Sequence, residues 1–178
     1  IPSIKEVIFH VYGAPLAIDL IHALHDGGCK RVVFIGYAYS SYLTVGSYLL
    51  STKVYCLDGL TNLLNKRLKF SYPDIQLRDK IKTILDREGV AYKHGISVSI
   101  TSIFHRVKNI RKKTIKKIKA LEMELSSIYY FSKKLGMKSV GILIISDNKN
   151  NELYNGKKIR SECMLFILEK VIKNMGEL

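Results

Sequence analysis

From Ser139 to Ile145 the chain is a near-continuous apolar run, and this limits the fold more than any other stretch. A strand with water on one side alternates apolar and polar side chains, so an unbroken run reads as a parallel strand buried on both faces. Ser146-Asp147-Asn148 follow at its carboxyl end, the place where open α/β sheets bind ligands. The segment before it, Leu121 to Leu135, reads as a helix ended by Gly136, with Glu122-Met123-Glu124 in its first turn. Together the two elements set carboxylates where hydrophobic packing alone would not put them.

The rest of the chain alternates in the same way. Glu6 to Tyr12 is strand-like, and Pro15 to Asp26 is an amphipathic helix stopped by Gly27-Gly28. Arg31 to Ile35 is a buried strand and Val45 to Leu57 is extended. Asp74 to Glu88 is a helix with Ile75, Leu77, Ile81 and Leu85 inward, Ala91 to Ile100 a strand, and Arg160 to Lys173 a closing helix. Such alternation implies an α/β fold: a three-layer mixed sheet with helices on both faces. At 178 residues and 47% hydrophobic, the chain is long enough for one substantial core and is read as one domain over residues 1–178.

Several function classes recede on composition. No apolar run approaches the roughly 18 residues of a membrane span, and no charged-then-apolar signal pattern opens the chain, which points to the cytoplasm. The first residue is Ile, so the chain reads as a processed or incomplete product. Cys29, Cys56 and Cys163 are odd in number, far apart and without ligand-like spacing, and read as reduced packing residues. His22 and His25, beside Asp19 and Asp26, could share a helix face around a metal. With no third ligand at a recognisable spacing, an exposed helix face is the simpler account. The net charge of +14 gathers in Arg106 to Lys119, which contains no acidic residue. That run could follow nucleic-acid phosphates, or be the solvated side of an amphipathic helix with Ile110, Ile115, Ile118 and Leu121 on its other side. No nucleic-acid motif or interleaved aromatic residue accompanies it.

Taken in order, Gly13-Ala14-Pro15, the stretch from Gly27 to Gly36, Asp58-Gly59-Leu60-Thr61, Ser99 to Phe104, Glu122-Met123-Glu124 and Ser146-Asp147-Asn148 resemble the nucleoside phosphorylase family. That family includes purine nucleoside and uridine phosphorylases and related nucleosidases. The resemblance runs from about Val7 to about Glu169, and the order of the short motifs is what makes it specific. It implies a pocket for a nucleoside or nucleobase, no cofactor, and a homo-oligomer, either a dimer or a hexamer built from dimers.

The resemblance also implies roles. Glu124, with Glu122 beside it, would accept hydrogen bonds from the ribose hydroxyls, since a carboxylate offers two oxygens to a vicinal diol. Met123 would lie against the sugar and Phe104 against the base. Asp147 would protonate a purine ring nitrogen as the glycosidic bond breaks, assisted by Arg160, thirteen positions further on. Each has a plain structural account as well: Glu124 as a carboxylate at a helix start, Met123 and Phe104 as core, Asp147 as a turn residue.

The departures concern phosphate. Two residues before the strand glycine, Gly36, the family carries an arginine, and just after it a small hydroxyl residue. Here those positions are Phe34 and Tyr37, and the resemblance still implies Gly36 and Tyr37 as substrate-binding positions. The family's N-terminal phosphate-binding segment has no counterpart before Val7. The cations that orient a phosphate nucleophile are thus missing, which argues against phosphate as co-substrate. The expectation is a divergent member that binds a nucleoside, purine before pyrimidine, with glycosidic cleavage as phosphorylase or nucleosidase. The alternatives are a catalytically silent binding subunit and a nucleic-acid-binding protein acting through the basic run.

Overall fold

The computed structural model describes residues 10–102, 117–148, 157–174 and 176. The apolar run lies in β6 (Lys138–Asn148), where every residue from Ser139 to Asp147 is buried. It is buried because it has strands along both edges and helices over both faces. Along one edge it runs parallel to β1 (Arg31–Ser40), with Arg31 opposite Lys138 and Ala38 opposite Ile145. Along the other it runs antiparallel to the start of β2 (Tyr48–Leu57), with Tyr48 opposite Ile144 and Leu50 opposite Ile142. β2 is parallel to β4 (Tyr92–Ile100), β4 is parallel to β5 (Ile118–Glu122), and β5 meets β1 antiparallel. A short β3 (Phe70–Ser71) pairs antiparallel with the later half of β2. The expected mixed sheet therefore forms and also curls: the order β2, β4, β5, β1, β6 returns to β2.

Side chains alternate along β6, and the two sets join different layers. Leu143 and Ile145 pack with Ala17 and Ile21 of α1 (Ala14–Asp26) and with Leu125, Ile128 and Tyr129 of α4 (Leu125–Lys134). Val140, Ile142 and Ile144 pack with Leu77, Ile81 and Leu85 of α3 (Ile75–Arg87) and with Ile167 and Val171 of α5 (Lys157–Lys173). Local chemistry starts these helices. Pro15 sits in the first turn of α1, where its missing N–H costs nothing, and the Asp74 carboxylate accepts the Leu77 N–H at 2.8 Å to cap α3. Among the described residues no helix is long and apolar enough to cross a membrane.

Three sequence expectations are corrected. Leu121 and Glu122 are strand, not helix: Ile118 to Glu122 alternate in burial between β4 and β1, and the helix begins only at Leu125. Ile118 and Leu121 therefore do not form the apolar side of a basic helix, and residues 103–116 lie outside the described residues. The strand expected from Glu6 also falls largely outside them, and His10 to Tyr12 are not in a strand. The short helix α2 (Leu60–Leu64) and β3 lie in a stretch the periodicity did not mark.

α4 can lie close on β6 because residue 141 is glycine. A Cβ there would run into the side chain of Leu125, which is wholly buried, and would stand 3.0 Å from the Tyr129 hydroxyl. Gly141→Ala is therefore expected to cost about 1–3 kcal/mol through overpacking. Urea unfolding checks this: the midpoint should fall while its slope against denaturant stays unchanged.

Candidate functional site

β1 and β5 pair only near their carboxyl ends, and the register makes Tyr39 the meeting point. Tyr39 stands opposite Leu121 on one side and opposite Asp147 on the other. Two inter-strand steps put Asp147 roughly 10 Å from Leu121 along the sheet, with Glu122, Met123 and Glu124 following Leu121 in the chain. An irregularity between Ala38 and Tyr39 skips Ser146 in the pairing, so β6 changes register immediately before Asp147. Ser40 fixes the crossing: its hydroxyl donates to the Lys119 carbonyl at 2.6 Å and accepts the N–H groups of Tyr42 and Leu43.

Glu124 is the residue just before α4, and it is buried. Its Oε1 accepts the Gly13 N–H at 2.6 Å, which ties the start of α1 to the start of α4, and its Oε2 accepts the Met123 N–H at 3.2 Å. Burial raises its pKa; the two N–H donors and nearby His10 pull the other way. The plain structural account of Glu124 is thus part of the truth, since it lies at the positive end of a helix, yet four lone-pair sites leave room for further donors. Met123 is half-buried against the cluster of Val98, Ile100 and Ile118.

Glu122 is more deeply placed than the sequence suggested, with only 2% of its surface exposed. Its Oε1 takes the Ser99 hydroxyl in a very short hydrogen bond, and its Oε2 takes the N–H groups of Glu124 at 2.7 Å and Leu125 at 2.6 Å. Burial pushes its pKa up to about 7, against the pull of the Leu125 N–H and the Ser99 hydroxyl. Ser99 also accepts the Ser126 N–H at 2.8 Å, and the Ser126 hydroxyl donates to Asp58. Asp58 in turn accepts from the Thr61 N–H at 2.6 Å and the Thr61 hydroxyl at 2.7 Å, within the first turn of α2. Sequence reasoning missed this linkage. Its trace was Ser97 and Ser99 alternating with Val98 and Ile100, small hydroxyls on one face of a buried strand.

Asp147 is 8% exposed and accepts the Ser146 hydroxyl at 2.9 Å. Arg160 lies instead by Tyr37, whose phenol donates to the Arg160 carbonyl at 3.3 Å and feels its guanidinium charge. Among the described residues no hydrogen bond or ion pair joins Asp147 to Arg160. Tyr37 is 41% exposed, and burial of the remainder raises its pKa. Phe34 is buried, and its ring lies over Gly36 so closely that a Cβ on Gly36 would overlap it. An aromatic ring therefore covers Gly36 from the position where the resemblance calls for an arginine. Phe104 lies outside the described residues.

His25 bonds Asp26 at 3.0 Å while the His22 ring tilts against Phe131, and no group of three or more potential ligands for a metal occurs among the described residues. A cavity of about 560 Å³ is lined by Gly46, Tyr48, Gly89, Tyr92, Lys93 and Phe166 among others, and by none of the residues just described.

Known proteins carry the same arrangement of elements. The structure is similar to a futalosine hydrolase mutant of Helicobacter pylori strain 26695, with TM-score 0.75, 16% identity, and coverage of 94% of this chain and 77% of that one. It is also similar to 5'-methylthioadenosine/S-adenosyl homocysteine nucleosidase of Campylobacter jejuni, with TM-score 0.78, 16% identity, and coverage of 94% and 78%. The P. knowlesi homolog of P. falciparum PNP matches with TM-score 0.72, 16% identity, and coverage of 93% and 71%. At that identity the likeness establishes the fold. The family model of the phosphorylase superfamily matches residues 10–172, nearly the whole length, and the chain belongs to the phosphorylase superfamily.

Proposed function

We propose that this chain binds a purine nucleoside across the carboxyl ends of β1, β5 and β6 and hydrolyses its N-glycosidic bond. The observation that carries the reading is the double register of Tyr39, which sets Asp147 two strand steps from Leu121, with Met123 and Glu124 two and three residues further along the chain. In this reading Glu124 accepts the ribose hydroxyls and Met123 forms the apolar wall beside the sugar. Phe104 stacks on the base, Glu122 holds Glu124 in place, and Asp147 gives a proton to a ring nitrogen of the leaving base. Bond cleavage then releases a neutral base, and water adds to the anomeric carbon, its proton restoring the acid. Arg160 acts beside Tyr37 rather than on Asp147.

Support for water as the acceptor comes from Phe34 and Gly36. A buried ring over the strand glycine offers a phosphate neither charge nor hydrogen bond, and a dianion placed there would lose its hydration without compensation. The same observation favours a second reading, a nucleoside-binding subunit without catalysis. The proposal places the protein in the cytoplasm, without a cofactor, as a homo-oligomer. Exposed Tyr12 and Leu16 at the start of α1, with Leu63 and Leu64 of neighbouring α2, support assembly, and three free thiols support a reducing compartment.

Chromatographic detection of free base from inosine, adenosine, methylthioadenosine and uridine, each with and without phosphate, tests the reading. Release from a purine nucleoside at a rate that phosphate leaves unchanged is expected. Phosphate-dependent release would overturn the assignment of Phe34 and Tyr37, and no release from any substrate would leave the binding subunit, with the basic run the next place to look. Asp147→Asn is expected to lower release by about 10²–10⁴-fold, the usual worth of a general acid, with the unfolding free energy kept within about 1 kcal/mol of the parent.

A further inference from the structure

Glu122 holds the ground on which the sugar-facing residues stand. The N–H groups of residues 124, 125 and 126 have no intrahelical partner at the start of α4. Glu122 takes the first two directly, and Ser99, whose hydroxyl it orients, takes the third. Met123 lies between the two carboxylates, so its backbone follows wherever this turn goes.

The polarity of the hydrogen bonds favours the ionised form of Glu122. Oε2 faces two N–H donors and has no room for a proton of its own. Oε1 faces a serine hydroxyl that donates to it. A proton on Oε1 would force the Ser99 hydroxyl to turn away, and Ser99 is wholly buried, with its oxygen already accepting Ser126. The turned hydroxyl would lose Glu122 as its acceptor inside a buried site, which weighs against the protonated form.

We infer that Glu122 is a positioning residue whose ionised carboxylate holds Met123 and Glu124 in their sugar-facing arrangement, so that nucleoside affinity depends on whether Glu122 carries a proton. This inference rests on the nucleoside reading of the site. Other titratable groups around Glu122 are Glu124 at the start of α4, Tyr129 within α4, Cys56 on β2 and Asp58 after it, with His10 beyond Glu124. Glu124 and His10 are also titratable and lie close to Met123, so the test must separate them from Glu122.

Labelling methionine methyl groups with carbon-13, and assigning Met123 through Met123→Leu, gives a readout that needs neither substrate nor activity. The Met123 resonance is expected to move with a midpoint at about pH 7 in the parent protein and to be flat in Glu122→Gln. Ser99→Ala, which removes one donor to the ionised form, is expected to move the midpoint to higher pH. By calorimetry, the parent's affinity for methylthioadenosine or inosine should fall about tenfold from pH ~8 to pH ~6, as the ionised fraction of a group titrating at about 7 does. Glu122→Gln should show no such dependence. A Met123 resonance that does not titrate in the parent, or that titrates equally in Glu122→Gln, would overturn the inference. If neither nucleoside binds at any pH while the resonance still titrates through Glu122, the nucleoside reading fails and the coupling of Glu122 to Met123 stands.

Discussion

Everything in this fold is arranged around a strand that has no free side. β6 is hydrogen-bonded to β1 along one edge and to β2 along the other, with α1 and α4 over one face and α3 and α5 over the other. A strand so enclosed has no position for a polar side chain until it leaves the enclosure, which explains the unbroken apolar sequence before Ser146. It also explains why Asp147 is buried although it lies almost at the strand's end. The register change skips Ser146 and delivers Asp147 to the place where β1 and β5 meet, still inside the packing. The hydrophobic requirement and the site thus come from one element, and a close approach by α4 at Gly141 completes the enclosure.

Where the enclosure ends, the structure changes from apolar contacts to hydrogen bonds. Asp58, Thr61, Ser99, Glu122, Ser126 and Ser127 are all buried and joined in sequence, binding the loop after β2, the end of β4, the end of β5 and the start of α4. A fully satisfied buried network of this kind specifies one arrangement more tightly than apolar packing does, because any displacement leaves a donor or acceptor without its partner. The elements it joins are the ones that carry Met123 and Glu124. Rigidity is supplied where a sugar would have to be recognised by two carboxylate oxygens at fixed positions.

Much of the fold was legible because the signals were local and redundant. Proline in the first turn of α1, a capping aspartate before α3, and glycine after each of α1, α3 and α4 mark helix limits without reference to the rest of the chain. β5 was misread because Ile118 to Leu121 satisfies either period over so short a stretch, and only its place between β4 and β1 decides. For the site, Glu124 and Asp147 stand out in the sequence as motif residues, whereas the hydrogen bond from Tyr37 to the Arg160 carbonyl leaves no mark there. That bond depends on how α5 lies against β1, a relation between elements more than one hundred residues apart. The role of Glu122 was equally hidden. In sequence it is one more glutamate in a helix-like stretch; only the burial of β4 beside it shows that both oxygens point inward.

Phe34 links the packing of the core to the candidate site. On β1 the residues facing α1 and α4 are Phe34, Gly36, Ala38 and Ser40, and all are buried. An arginine at position 34 would need a counter-ion or a bound anion to be tolerated there, since burying an unpaired cation costs far more than burying a ring. With phenylalanine the position is satisfied by the core alone, and the absent side chain of Gly36 gives the ring its room. The substitution therefore exchanges a ligand-dependent site for packing that is complete without a ligand. In the proposed reading, an apolar wall at position 34 excludes a competing anion and leaves the acid assigned to Asp147 and the sugar contacts assigned to Glu124 undisturbed.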